Sequence, residues 1–152
     1  SINTRIDRID RAPNGELIVI DYKTGEVSAS GWSPPRPDQA QLPLYALIDH
    51  GEPVGGIAFA QLKRGRYRLV DDPKGSAACT GLSDEQRDEW QAKCAQWSSE
   101  FSLLAAEIAA GLALVAPKHG DKTCRYCDLH AFCRVHELAS VNEAVAQRQT
   151  DE

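Results

Sequence analysis

Three polar residues near the start of the chain, Asp7, Asp21 and Lys23, are of the types and spacing that could carry metal-assisted phosphate chemistry. Asp21 and Lys23 end the run Leu17-Ile18-Val19-Ile20-Asp21-Tyr22-Lys23, which is apolar and β-branched up to the acid. In a strand, residues two apart share a face, so the carboxylate and the ammonium lie side by side. Asp7 belongs to a shorter mixed run, Arg5 to Asp10, and Pro13-Asn14-Gly15 separates the two. A three-residue hairpin loop with glycine in the left-handed position pairs Ala12 with Glu16. Counting back from that pair sets Asp7 opposite Asp21 and Arg5 opposite Lys23. Like charges directly across a hairpin destabilise it. A divalent cation between the carboxylates removes the conflict, since Mg²⁺ takes one or two carboxylates together with water and phosphate oxygens. A nearby lysine can then orient a water or stabilise charge developing on a phosphate. The alternative is two strand-end acids turned to solvent, each beside a lysine or arginine. A two-residue Asn-Gly turn would also move Asp7 to the other face. Asp10 falls on that other face, where a salt bridge to Arg8 or Arg11 is expected.

A second group of reactive side chains lies far along the chain. Cys124, Cys127 and Cys133 follow Pro117, Gly120 and Asp121 in a loop-like stretch. A Cys-x-x-Cys pair in a chain of five cysteines without a secretory pattern suggests a soft metal site and not a disulfide framework. Three thiolates leave a tetrahedral site one ligand short, and His136 is placed to complete a zinc site of three cysteines and one histidine. Cys94 lies on an apolar helix stripe and reads as a core thiol, and Cys79 in a loop carries no spacing that suggests chemistry.

The elements that must position these groups can be read in order. Glu26 to Pro37 is loop, with three prolines and Trp32. Asp38 can cap a helix running to about His50, with Gly51 as its stop. Pro43 is tolerated only in a first turn, which moves the regular part toward Leu42. Gln41 and Tyr45, four apart, share a face of this helix. Val54 to Gln61 and Arg66 to Val70 read as two further strands around Arg64-Gly65. The stretch Lys63-Arg64-Gly65-Arg66-Tyr67-Arg68 is either a phosphate contact or a hairpin turn with solvated flanks. Ser83-Asp84-Glu85-Gln86 is a capping box opening a helix to about Ala110, stopped by Gly111. Trp90, Cys94, Trp97, Phe101, Leu104, Ala105 and Ile108 form its apolar stripe.

Taken in order, the Ile6-Asp7-Arg8-Ile9-Asp10 strand, Ile20-Asp21-Tyr22-Lys23-Thr24-Gly25, Gln41-Leu42-Pro43-Leu44-Tyr45 and the cysteine cluster resemble the PD-(D/E)XK nuclease superfamily. More narrowly they resemble its RecB/AddB-type branch, over roughly Thr4 to His136. That resemblance implies an α+β fold with a restriction-endonuclease-like core: a mixed sheet of about four strands, flanked by helices, with a Cys-rich C-terminal segment. It implies a metal-dependent exonuclease-type deoxyribonuclease of DNA repair and recombination, acting on DNA beside helicase or other domains of a larger protein. Asp7, Asp21 and the main-chain carbonyl of Tyr22 would hold Mg²⁺ or Mn²⁺, Lys23 would activate water, and Gln41 and Tyr45 would brace the site. Cys124, Cys127 and Cys133 would bind a 4Fe-4S cluster whose fourth cysteine lies upstream. The cluster would latch the C-terminal segment, residues 117–136, to a core spanning 1–136, with 137–152 as a tail. The family's further metal ligand, a histidine or acid upstream of the first strand, has no counterpart here, so weak activity is an expectation for the isolated chain. The competing expectation is a catalytically silent DNA- or partner-binding module stabilised by the Cys₃His zinc site.

Composition fits one core. The chain has 152 residues, 42% hydrophobic and 26% charged, which are ordinary globular values. No run is long enough to span a membrane and no signal-peptide pattern is present, so a cytoplasmic location is expected. Methionine is absent even at position 1, which suggests a piece of a longer protein. The net charge of −5 argues against a free-standing nucleic-acid binder, though a nuclease site itself concentrates carboxylates.

Overall fold

The computed structural model describes residues 4–76, 82–135 and 137. Its centre is a four-stranded mixed sheet in the order β1-β2-β3-β4, with β1 Arg8–Arg11, β2 Leu17–Lys23, β3 Val54–Lys63 and β4 Arg66–Asp72. β1 and β2 form an antiparallel hairpin, β2 and β3 run parallel, and β3 and β4 form a second antiparallel hairpin. The expected α+β architecture is therefore present, a mixed sheet with flanking helices.

The first hairpin closes through the three-residue loop. The Ala12 N–H donates to Glu16 O at 2.8 Å, and Gly15 takes φ +88°, a conformation that favours glycine. Arg8 pairs with Ile20, the register expected from that loop. β1 is shorter at its start than the sequence suggested, so Asp7 stands just before the strand and not within it.

Between β2 and β3 the chain makes a short 3-10 turn at Ala29–Trp32 and then helix α1, Gln41–Leu47. Pro43 lies in the first turn, where its missing N–H costs nothing, so α1 starts at Gln41 with Ala40 as its cap in place of Asp38. The helix stops at Leu47, before the expected His50, because Ile48 turns extended. β3 and β4 each run two residues further than their apolar patterns, to Lys63 and Asp72. Their ladder holds polar residues that the alternation alone leaves out.

Helix α2, Asp84–Ala109, opens with the capping box: the Gln86 N–H donates to Ser83 Oγ at 3.2 Å and the Ser83 N–H to Gln86 Oε1 at 3.1 Å. Trp90 and Trp97 are buried with Val19, Trp32, Leu42, Ile57 and Phe59, and Cys94 and Phe101 pack against that cluster. Both indoles are also fixed by hydrogen bonds, Trp90 Nε1 to Val54 O at 2.7 Å and Trp97 Nε1 to Trp32 O at 2.9 Å. The stripe does not continue as expected. Leu104 is 45% and Ile108 68% exposed, because the core cluster extends only as far as Phe101. The opposite sheet face buries Ile18, Ile20, Ala58 and Ala60. There Gly56 is obligatory, since a Cβ would meet Ser76 Oγ at 2.5 Å.

By contacts the chain divides into two compact units, Ser1–Ala106 and Glu107–Glu152. Among its described residues the second holds two helices of one turn each, α3 Asp121–Cys124 and α4 His130–Cys133. No helix among the described residues is long and apolar enough to cross a membrane.

Candidate active site

β2 delivers two charged side chains to the sheet face that carries Val19 and Phe59. Asp21 is 3% exposed, an unusual burial for an aspartate, which is normally left in water unless paired. Lys23 Nζ lies 2.7 Å from Asp21 Oδ2, an ion pair without hydrogen-bond alignment, so this buried oxygen has no hydrogen-bond donor among the described residues. Engaged only by this ammonium, the oxygen keeps acceptor capacity for a further ligand.

Continuing the β1–β2 register one residue past Arg8 and Ile20 sets Asp7 against Asp21. Asp7 is exposed, and its Oδ2 accepts the Tyr22 N–H at 3.2 Å, which ties this acid to the backbone between Asp21 and Lys23. Ile6 packs against the main core cluster and so anchors the segment from which Asp7 projects.

Helix α1 supplies the third side. Lys23 Nζ donates to Gln41 Oε1 at 3.1 Å, Gln41 Nε2 donates to Tyr45 Oη at 3.2 Å, and Tyr45 Oη donates to the Arg5 carbonyl at 2.9 Å. The ammonium also stands 5.8 Å from the Phe59 ring centroid. One unbroken relay thus runs from the lysine through α1 to the segment bearing Asp7. Gln41 occupies one of the three ammonium donors, leaving donor capacity for a phosphate oxygen or a water.

Asp10 behaves as expected for the other face: its Oδ1 is 2.6 Å from Arg8 Nε, away from the cluster. The arrangement brings together Asp7, Asp21, Tyr22, Lys23, Gln41 and Tyr45. A groove of about 330 Å³ adjoins it, bordered by Lys23, Glu26, Gln39, Gln41 and Phe59.

Sequence reasoning left two neighbours unplaced: Gln61 was named only as a strand end, and Arg68 only within the basic stretch Lys63 to Arg68. Gln61, 5% exposed, is the β3 partner of Lys23, and its Nε2 donates to Gly25 O at 2.5 Å. Arg68 Nε donates to Gln61 Oε1 at 3.1 Å and its Nη2 to Val27 O at 3.2 Å. A glutamine ending an apolar strand, paired in parallel with the lysine strand, was the available signal. It became readable only with the β2–β3 register. Glu26 beside them has its carboxyl held below the ordinary range, chiefly by the Lys63 hydrogen bond and then by Gln61.

Set against the whole chain, these motifs match one family. The family model described as the PD-(D/E)XK nuclease superfamily matches residues 1–134. The chain belongs to that superfamily. Its members are generally nucleases, hydrolases acting on DNA that typically use divalent metals. No curated protein matches the chain closely enough to add to this.

The donor set fits a divalent cation in one respect: Asp21 presents a buried carboxylate oxygen with no hydrogen-bond donor, and Asp7 stands opposite it in register. No group of three His, Cys, Asp or Glu side chains among the described residues is disposed to hold a metal ion. Cys127 is exposed, Cys133 Sγ donates to His130 O at 3.8 Å, and His130 Nε2 lies 2.6 Å from Cys124 O. Burial, then the neighbouring Cys133 and Cys127, push the Cys124 thiol upward from its ordinary range. Of the three expected ligands Cys124, Cys127 and Cys133, only Cys133 has its thiol on a local carbonyl, that of His130. His136, the zinc alternative, and Cys79 lie outside the described residues.

Proposed function

We propose that the chain is a metal-dependent deoxyribonuclease domain, with Asp7, Asp21, Tyr22, Lys23, Gln41 and Tyr45 as its site. The observation that carries this is the buried Asp21 oxygen without a hydrogen-bond donor, 2.7 Å from Lys23 Nζ. A buried carboxylate is expensive to desolvate even when it is paired. Its placement beside an ammonium that is itself held by Gln41 is better explained by a reaction centre than by stability.

Asp21 and Asp7, with the Tyr22 carbonyl, would hold Mg²⁺ or Mn²⁺. When bound, such an ion supplies Lewis-acid polarisation of a phosphate and lowers the pKa of water. The chain's own groups do the rest. Lys23 directs a donor toward the phosphate oxygens, where negative charge builds in the transition state. Gln41 fixes the lysine's direction through its Oε1. Tyr45 holds Gln41 and the Arg5 carbonyl together, so the Asp7 segment and α1 keep a constant separation.

The ordered motifs further support the RecB/AddB-type branch and, with it, exonuclease-type work in DNA repair and recombination within a larger cytoplasmic protein carrying helicase or other partner domains. In that reading the domain spans 1–136, residues 137–152 are a tail, and Cys124, Cys127 and Cys133 would supply three of the ligands of a 4Fe-4S cluster. No step of the hydrolysis uses the cysteine segment.

The test is hydrolysis of linear single- and double-stranded DNA in Mg²⁺ and in Mn²⁺ by the chain, Lys23→Ala and Asp21→Ala. The expected loss is about 10²–10³-fold for Lys23→Ala, the size seen when a transition-state donor is removed. Asp21→Ala is expected to be at least as damaging. DNA binding without cleavage in all three proteins would instead support a silent binding module.

A further inference from the structure

We propose that the tip of the β3–β4 hairpin is a phosphate rail that carries the DNA strand away from the Asp21–Lys23 site. It rests on the nuclease reading and extends it to a substrate-binding surface. Because β2 and β3 are parallel, the end of β2 that bears Asp21 and Lys23 is also the end where β3 turns into β4. Lys23 pairs with Gln61, the last β2–β3 pair, and β3 then continues through Lys63. The tip therefore projects beyond the catalytic strand.

Register fixes which face the cations occupy. Gln61 pairs with Arg68 and Lys63 with Arg66. Partners share a face and residues two apart share a face, so Lys23, Gln61, Lys63, Arg66 and Arg68 all belong to the site's side of the sheet. Arg68 lies two strands from Lys23, on the order of 10 Å at ordinary strand spacing.

Four of the six residues from Lys63 to Arg68 are cationic in a chain whose net charge is −5. Lys63 and Arg66 stand directly opposite each other, a like-charge pair that weakens a hairpin. Glu26 forms its ion pair with Lys63, and Arg64 and Arg66 have no ion-pair partner among the described residues. The turn itself needs only Gly65, at φ +72°, so the fold does not require these cations. A cavity of about 600 Å³ lies among Glu26, Gln61, Lys63, Arg66 and Arg68. It shares Glu26 with the groove beside Lys23 and Gln41, so the two hollows adjoin. Arg68 is pre-oriented in it by Gln61 and Val27. A groove lined mainly by cations and leading from a reaction centre is the usual way to track a single strand by its backbone.

The experiment is fluorescence anisotropy of a fluorescein-labelled single-stranded DNA oligonucleotide in EDTA, between about 50 and 200 mM salt. The full chain is compared with Arg64→Gln/Arg66→Gln and with Arg11→Gln, whose guanidinium pairs with Glu52 beside the other end of the first hairpin. Losing two phosphate contacts should lower the slope of log K against log salt by roughly 1.4 and weaken binding about tenfold or more near 0.1 M. Arg11→Gln should change neither. An unchanged slope in the double variant overturns the proposal, because the cations then only shield the β4 edge from pairing. So does a wild-type chain that fails to bind. Hydrolysis of bis(p-nitrophenyl) phosphate by the wild type with Mn²⁺ separates the two readings. Cleavage with no effect of the double variant on binding leaves the nuclease and removes the rail. Weakened binding with no cleavage leaves the rail as a DNA surface and removes the nuclease.

Discussion

The two groups of reactive side chains in this protein are held in opposite ways. Asp21, Lys23, Gln41 and Tyr45 sit on a strand and a helix packed into the main core: Asp21 pairs with Lys23 along β2, Lys23 with Gln41 across to α1, and Tyr45 with the Arg5 carbonyl. Cys124, Cys127 and Cys133 sit on and between two one-turn helices without side-chain caps, beside Tyr126 and Phe132, which are 89% and 86% exposed. The first group is shaped before any ligand arrives. Among the described residues the second has no buried apolar cluster to shape it, the usual condition of small segments that a metal organises. Pre-organisation is what a site needs if it must act on charge as it develops, whereas a structural metal site can be assembled by the metal itself.

The largest test of the contrast is at the frame beneath the carboxylates. Trp97→Ala should lower the stability of the first unit by about 3–5 kcal/mol in chemical denaturation. It removes a fully buried indole and its hydrogen bond to the Trp32 carbonyl. A cost below about 1 kcal/mol would mean that the site's frame is no better packed than the cysteine segment. Tyr45→Phe is the next largest. It keeps the ring in the core and deletes the hydroxyl that links Gln41 to the Arg5 carbonyl, for about 1–2 kcal/mol. With the lysine less well aimed, DNA hydrolysis should fall severalfold through kcat more than KM. An unchanged kcat would leave Tyr45 a core residue with no positioning role.

How much of this was legible in the sequence follows the same division. The hairpin register could be counted because Pro13-Asn14-Gly15 specifies a turn, and the turn fixes which residues oppose. Gln41 and Tyr45 could be paired because helical spacing is local. Gln61 and Arg68 could not be placed beside Lys23, since a parallel pairing between β2 and β3 is not encoded by any turn. The extent of the α2 stripe was overread for a related reason. Periodicity shows that Leu104 and Ile108 share a face with Trp97, but it does not show where the partner surface ends. The cysteine spacing suggested ligands, yet spacing is silent on the conformation adopted when no metal directs it.

A smaller effect separates the cysteines themselves. Burial pushes the Cys94 thiol up to about 12 from 9.0, with Asp72 adding to the shift and Lys93 opposing it. The neutral thiol is therefore the form that the fold favours. Below about pH 9 both states are protonated and the group has no effect. Above it the unfolded chain ionises first, so its contribution to stability is lost progressively as pH rises toward 12. Cys94→Ala should flatten the pH dependence of the denaturation midpoint across that window. In the native protein at pH 8, iodoacetamide should label exposed Cys127 well before Cys94. Equal labelling would show that the core around Cys94 opens as readily as the exposed segment.

The smallest expected effect is the most informative about the second group. Cys124→Ser/Cys133→Ser, in metal-free protein, should change stability by no more than about 0.5 kcal/mol, the range for side chains that hold nothing together. Cys133 contributes one weak contact to His130 O, and Cys124 none through its sulfur. The same pair should become costly only if the segment is metallated, because the binding free energy of a structural metal then becomes folding free energy. Iron and zinc content measured beside the denaturation curve decides between these states. A metal-free protein that loses more than about 1 kcal/mol on the double substitution breaks the contrast. The thiols would then be shaped in advance like the carboxylates, and the segment would carry structure of its own making.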